Sequence, residues 1–311
     1  MTRLRRAFAL LALSTVALAP LGAAAAPPAR ADLDQLLPGV ELPAEMTPAQ
    51  REVLARIAQE SFCHCGCPHT LSGCLKEHKS CQHSGRMAAL ATRLVMGANF
   101  SSGPQKVASE IQSALVQHYA GFDSKKRAKL NVKDFGPPLG NPDAPITLVE
   151  FSDFTCPFCQ VQRPRLEAFV EKHAGKVKLH YKPFPLPASI RGHERAWEAA
   201  ETAEWARDNG FFWKMHDMLF ENPRNLSDND LAGYAVKLGG DPTSLREALA
   251  TKKYRPRILA SQAEARIAGL TGTPTLFVNG RRHVLDWSDE TLEQIIVEEE
   301  EWMKNNGWVK D

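Results

Sequence analysis

The chain has 311 residues, 43% of them hydrophobic and 24% charged, the balance of a globular protein and not of a disordered or fibrous one. Its length suits about two domains of about 150 residues each. The formal net charge is +2 and falls near −1 without Arg3, Arg5 and Arg6 of the leading segment, so charge excludes an evident nucleic-acid surface. A single long apolar stretch excludes a polytopic membrane protein.

That stretch opens the chain. Residues 1–6 are basic, residues 7–21 are a run dominated by Leu, Ala and Val, and Ala23, Ala24, Ala25 and Ala26 supply the small residues that a signal peptidase reads. The run is shorter than the roughly 20 residues a transmembrane helix needs. Residues 1–26 are therefore predicted to be a signal peptide, and the chain to be exported to a bacterial periplasm. Arg5 and Arg6 leave the Sec and twin-arginine routes both open, and a membrane partner follows only if the signal is uncleaved. The periplasm is oxidising, so cysteines there can be disulfides as well as ligands.

Residues 27–45 are rich in Ala, Pro and Leu without steady periodicity and read as an extended linker. A helix then starts with Thr47 as N-cap and Pro48 at the first helical position, carrying Val53, Leu54, Ile57 and Ala58 as its apolar stripe. It runs into Cys63-His64-Cys65-Gly66-Cys67, followed by Cys74 and Cys81. Helical patterns over 85–96 and 104–119 complete a small Cys/His-rich α-helical domain at 46–122. Residues 123–140 read as a second linker, with Lys125, Lys126 and Arg127 a solvated charge run.

From residue 141 the pattern becomes α/β. A turn at 141–145 launches a buried-type strand at 146–151; Cys156-Pro157-Phe158-Cys159 and a helix over 160–174 come next, then a strand at 177–181. Residues 192–267 are helical, broken near 222–228 and 239–242. A strand at 275–278 turns at Asn279-Gly280, a strong hairpin signal, and a last helix covers 289–302, where the acidic run 298–301 reads as solvated.

Strand, short loop, Cys-x-x-Cys, helix is the context that makes two cysteines a redox site. Cys156 falls at the helix N-terminus, where free N–H groups and the dipole favour a thiolate. Cys159, about one turn later, is placed to attack a mixed disulfide and release the substrate. Glu150, six residues before Cys156, could sit beneath the dithiol and take the second thiol's proton; the alternative is an acid in water. Gly272-Thr273-Pro274-Thr275 enters a strand with proline at a permitted position, and the sequence leaves the Thr273–Pro274 isomer open.

The N-terminal cluster holds five of the seven cysteines, interleaved with His64, His69, His78 and His83. Structural disulfides among Cys63, Cys65, Cys67, Cys74 and Cys81 are one reading, with the longer pairings favoured by geometry. A zinc or copper site is another, with Cys63, Cys65, Cys67, Cys74, Cys81, His64 and His69 as candidate ligands. A second redox centre passing electrons to Cys156 and Cys159 is the third.

Residues 133–305 resemble the DsbA-like group of the thioredoxin fold, with its DsbG and BdbD relatives. The matching pieces are residues 150–159, Lys182-Pro183-Phe184-Pro185-Leu186, residues 212–217 and residues 272–280. The resemblance implies a thioredoxin fold with a helical domain inserted over about 188–265, Cys156 as nucleophile and Cys159 as resolving cysteine. It implies Pro274 as the cis-proline, Thr273 as a backbone partner for a bound peptide, Glu150 as the buried acid and Lys182 as that acid's ionic neighbour. Phe212, Trp213 and Met215 read as core of the insertion. The implied activity is thiol–disulfide exchange with cysteine-containing protein substrates, recycled by a redox partner and requiring no cofactor. Phe158 stands where a histidine could stabilise the thiolate in strong oxidants, so Cys156 is expected to be a less depressed thiol than theirs. Cys63-His64-Cys65-Gly66-Cys67 resembles the Cys-Tyr-Cys-Gly-Cys motif of small exported proteins. The helices after it resemble CcmH-type thiol reductases, which makes a metal-binding or cytochrome-maturation protein the alternative.

Overall fold

The computed structural model describes residues 27–305; the expected signal peptide at 1–26 lies outside the described residues. The N-terminal unit is helical: α1 (Arg30–Leu36), α2 (Pro48–Glu60), α3 (Leu71–Glu77), α4 (Gln82–Gly97) and α5 (Pro104–Ala120). The α2 cap is as read from sequence: the Thr47 side chain accepts from the Gln50 N–H, and Pro48 opens the first turn. Val53, Leu54 and Ile57 of α2 pack against Leu90 and Val95 of α4 and Ile111 and Leu115 of α5.

Residues 27–45 are not an extended linker. Leu33, Leu37 and Leu42 are buried in that same core, and each fully buried leucine stabilises by about 1.5–3 kcal/mol. Leu33 and Leu37 stand at helical i, i+4 spacing, but α1 is only seven residues long, too short for a periodic signal. Helix α3 has no counterpart in the sequence pattern either: seven residues containing Gly73 are too few to show a period.

The second unit is built on a five-stranded mixed sheet, β1 (Leu139–Gly140), β2 (Ile146–Ser152), β3 (Val177–Pro183), β4 (Thr275–Val278) and β5 (Arg281–His283), in the order β1-β3-β2-β4-β5. β2 and β3 are parallel, joined through α6 (Pro157–Lys172), while β4 runs antiparallel beside β2 and β5 antiparallel beside β4. On one face Ile146, Leu148, Leu276 and Val278 pack on Leu166 and Val170 of α6 and on Leu292, Ile295 and Ile296 of α12 (Asp289–Lys304). On the other, Val149, Phe151 and Phe277 pack on Ala265 of α11 (Arg255–Ile267). Between β3 and β4 lie α7 (Ala196–Asp208), α8 (Phe212–Glu221), α9 (Asp228–Lys237), α10 (Pro242–Ala250) and α11. Phe212 and Met215 are core of this insertion and Trp213 is partly buried against it. Among the described residues no helix is long and apolar enough to cross a membrane.

The second linker, 123–140, is structured as well. Leu139 pairs with Leu179, and Phe135 is buried. Ala128 donates its N–H to the Gly280 carbonyl at 2.8 Å. Gly280 has φ of +82°, and a side chain there would strike the Ala128 carbonyl, so the turn demands glycine for both conformation and contact. Lys125 and Lys126 are exposed as expected, but Arg127 forms a two-pronged pair with Glu299, at 2.7 and 3.0 Å.

Glu299 belongs to the acidic run read as solvated, and that reading fails at its first two residues. Glu298 and Glu299 are 2% and 0% exposed. Arg281, fully buried, donates to both at 3.1 Å. His118 of α5 lies 3.0 Å from Glu298 through Nε2 and 3.4 Å from an Arg281 guanidinium nitrogen through Nδ1. Burial would raise the Glu298 carboxyl, but His118 and the Arg281 charge hold it down at about 2. The network ties the helical unit to β5 and α12. Arg281→Met leaves buried Glu298 without a guanidinium and Glu299 with Arg127 alone, and breaking such a network costs about 3–5 kcal/mol. Urea unfolding of the variant is expected to show that loss; a change within about 1 kcal/mol would mean the carboxylates reach water.

Candidate active site

Cys156 is the N-cap residue of α6 and Pro157 occupies the first helical position. Proline has no N–H to lose there, and the free N–H groups of the first turn remain directed at the N-cap. The loop leading to it, Asp153-Phe154-Thr155, is fixed by buried hydrogen bonds. Asp153 accepts from the Thr155 N–H and hydroxyl, both at 2.7 Å, and from the Leu186 N–H at 2.8 Å. His193 Nδ1 lies 2.9 Å from Asp153 and 2.8 Å from the Thr155 hydroxyl.

The Cys156 thiol is lowered to about 5. The largest cause is the hydrogen bond from the Cys159 thiol, opposed by burial and supported by the N–H groups of Cys159 and Phe158. Cys159 is fully buried, and burial together with that hydrogen bond to Cys156 pushes its thiol far up. The two sulfurs of one motif are thus driven apart, Cys156 toward thiolate and Cys159 toward thiol. Position 158, between the two cysteines, is an uncharged phenylalanine. That phenylalanine is 72% exposed.

Glu150 is 2% exposed, on the face of β2 that packs under α6. Burial raises its carboxyl to about 7, and its Oε1 has no hydrogen-bond partner. It is the buried acid and not an acid in water. Its charge also raises the Cys159 thiol, so the two are near enough to feel one another.

Lys182 is not the ionic neighbour of Glu150. In the β2–β3 register Glu150 stands opposite Tyr181, and Lys182 opposite Phe151. Side chains alternate along a strand, so Lys182 projects from the other face of the sheet. There it pairs with Glu264, donates to the Asn131 carbonyl and lies 4.2 Å from the Phe135 ring.

The Thr273–Pro274 peptide is cis. It closes the loop entering β4, and the Thr273 carbonyl oxygen lies 3.6 Å from Cys156 Sγ. Cys156, Cys159, Glu150, Thr273 and Pro274 therefore converge, as read from the sequence. What that reading missed is the positioning network around Asp153. His193 sits 40 residues away from its partner in the chain, and no local pattern marks it.

The N-terminal candidates divide. Cys63, Cys65, Cys74 and Cys81 are all buried, with their sulfurs within 4.8 Å of one another. Cys67 groups with His69 and His78, whose ring nitrogens are 3.1 Å apart. His64 joins neither group: its Nε2 lies 2.8 Å from the Tyr119 carbonyl oxygen and its ring leans on Tyr119.

Comparison with known proteins follows the division of the molecule. The chain is similar to the Na(+)/H(+) antiporter NhaA 1 of Salinispora arenicola, 38% identical over 153 residues that make up 49% of this chain and 23% of that protein. It is similar to the Na(+)/H(+) antiporter NhaA of Nitrosospira multiformis at 30% identity, over 51% of this chain and 25% of the relative. The match thus spans about a quarter of the length of the curated relatives. Among solved structures, oxidised BdbD from Bacillus subtilis superposes with a TM-score of 0.47 at 25% identity, over 55% of this chain and 97% of that one. DsbA2 from Pseudomonas aeruginosa gives 0.43 at 26%, over 56% and 96%. A family model described as Thioredoxin matches residues 134–298, from just before β1 into α12. That span is more than half of the chain and contains every residue of the dithiol site, and the chain belongs to the thioredoxin family.

Proposed function

We propose that the chain is an exported thiol–disulfide oxidoreductase acting on cysteine-containing proteins, with Cys156 as nucleophile and Cys159 as resolving cysteine. The observation that carries this reading is the split of the two thiols over one helical turn, Cys156 held near 5 and Cys159 buried and raised. Export rests on the basic, apolar and small-residue pattern of residues 1–26.

In the reducing direction, the Cys156 thiolate attacks one sulfur of a substrate disulfide, and the other sulfur leaves as a thiolate. A mixed disulfide joins Cys156 to the substrate. Cys159 then gives its proton to Glu150 and attacks Cys156 Sγ, which frees the second substrate thiolate and leaves a Cys156–Cys159 disulfide. Two electrons pass from the dithiol to the substrate, and the same steps reversed oxidise a substrate dithiol. Either direction needs a partner to restore the starting state. A carboxyl near 7 can accept and return a proton at neutral pH. The exposed Phe158 ring and the Thr273 backbone beside cis-Pro274 offer an apolar contact and a strand-like edge to an unfolded peptide.

The test is capture. Cys159→Ala should accumulate mixed disulfides with periplasmic proteins through Cys156, all released by dithiothreitol. A Cys159→Ala protein that captures nothing, with Cys156 free to alkylate, would overturn the roles assigned. In the reduced wild type, iodoacetamide should label Cys156 with a midpoint near pH 5. Cys159→Ala should move that midpoint upward, since it removes the largest cause of the shift.

Glu150 makes a separate prediction. Its raised carboxyl means the folded state holds a proton that the unfolded state has released between the ordinary value of 4.5 and about 7. The wild type should therefore lose about 3 kcal/mol relative to Glu150→Gln as pH rises through that window, and nothing further above it. Below pH 4.5 the two should run parallel. The same variant should slow release of the mixed disulfide while leaving initial alkylation of Cys156 intact.

A further inference from the structure

The thioredoxin reading uses two cysteines and leaves five. Four of these are gathered by three separate elements. Cys63 and Cys65 lie on the loop after α2, which is pinched shut where the Cys63 N–H donates to the His69 carbonyl at 3.0 Å and the Leu71 N–H to the Ser61 carbonyl at 2.8 Å. Cys74 points inward from α3, and Cys81 is the N-cap residue of α4. We propose that Cys63, Cys65, Cys74 and Cys81 form a closed four-thiolate site for one zinc ion, which holds α2, α3 and α4 together and keeps these sulfurs out of the disulfide chemistry of Cys156 and Cys159.

The geometry carries the assignment. Zinc–sulfur bonds of about 2.3 Å in a tetrahedron set the sulfurs about 3.8 Å apart. Cys65 Sγ and Cys74 Sγ are 3.8 Å apart, and all four sulfurs lie within 4.8 Å of one another. Disulfides would divide four sulfurs into two pairs at about 2.05 Å; here they surround a common centre. The same short mutual distances suit one ion, not a multinuclear cluster whose ligands sit on different metal atoms. Four soft ligands in a tetrahedral array select zinc among divalent ions.

Burial adds that the site is structural. The four cysteines are between 0% and 8% exposed, so no coordination position faces solvent, as in closed zinc sites and unlike catalytic ones. Loading releases up to four thiol protons and leaves a net charge of −2 on the site. Backbone N–H groups answer that charge: Ser84 N–H lies 3.4 Å from Cys81 Sγ and Cys67 N–H 3.5 Å from Cys65 Sγ. Such outer contacts orient ligands and spread their charge. There is also a reason for the domain to need a staple: α3 has only seven residues, and Leu71 and Cys74 are its only buried apolar side chains.

Cys67 stays outside. Its sulfur is 3.1 Å from Cys65 Sγ, but it is less buried than the four and groups with the His69 and His78 imidazoles. It is the N-terminal cysteine left open to reagents.

The experiment is metal analysis of the whole secreted chain, purified without chelator, together with counting of alkylated cysteines in the native state. One zinc per chain should be found, with Cys67 labelled and the four ligands labelled only after a strong chelator is added. Cobalt in place of zinc should give the thiolate charge-transfer and intense visible bands of a tetrahedral site. Cys67→Ser, and the double variant Cys156→Ser with Cys159→Ser, should both keep the full zinc, while Cys74→Ser should lose it. If Cys74→Ser fails to fold, the wild-type metal content and labelling pattern still decide. A chain that holds iron, copper or no metal in place of zinc, or whose four cysteines are recovered as disulfides, would overturn the assignment; so would loss of zinc in Cys67→Ser with full retention in Cys74→Ser. None of these readouts depends on the oxidoreductase activity, so the two readings fail separately.

Discussion

Strand β2 is paired along its length, parallel to β3 on one side and antiparallel to β4 on the other, and both of its faces are covered. Its register is therefore strongly fixed, because a slip of one residue would exchange the two faces. Everything at the dithiol follows from that register. Glu150 faces α6 because Leu148 and Ile146 do. The chain leaving β2 must turn into α6 at Cys156, and the pairing of Phe151 with Thr275 brings the residues just before β4, Thr273 and Pro274, up to the same sulfur. Cys156, the buried Glu150 and the cis-proline loop meet because three segments share one strand.

Local devices then tune what the topology has placed. The helix N-terminus supplies partial positive charge where a thiolate is wanted, and the apolar layer beneath supplies the desolvation that keeps Cys159 protonated and raises the Glu150 carboxyl toward neutrality. These are opposite environments within one turn of helix. Phe158 contributes no charge to the sulfur, so the lowering at Cys156 comes from the neighbouring thiol, from Thr273 and from the backbone. The Asp153, Thr155 and His193 network holds the loop so that these short-range effects have a constant geometry to act on.

The helical unit is joined to this core by charge as much as by apolar contact. Leu285 enters its core from beyond β5. Arg281, Glu298, Glu299, His118 and Arg127 form a connected set of buried partners at the joint. Arg127 also lies 3.6 Å from the Trp302 ring, whose N–H donates to the Phe122 carbonyl at 2.9 Å. Glu298 meets the Arg281 guanidinium and the His118 ring, and Glu299 meets both Arg281 and Arg127, which is what lets carboxyls this buried stay ionised. Such a joint resists sliding, since displacement would strand charges in a low dielectric.

The sequence by itself determined what depends on neighbours within a few positions. Thr47 and Pro48 start a helix, Asn279-Gly280 turns a hairpin, and strand–loop–Cys-x-x-Cys–helix places Cys156 at a helix N-terminus; in each case the cause is backbone geometry and capping over about one turn. It also exposed the thioredoxin pattern, because its pieces are short and contiguous. Tertiary structure alone decided the rest. Glu298 and Glu299 read as solvated until Arg281 and a histidine 180 residues distant covered them. Lys182 was matched to the wrong carboxylate because only the register shows which face it takes. Residues 27–45 passed for a linker because their three leucines fill a core made by later helices. Which four of five neighbouring cysteines converge was settled by where α3 and α4 place Cys74 and Cys81. Charge pairing and burial are properties of the space around a side chain, and that space is assembled from segments that carry no local trace of one another.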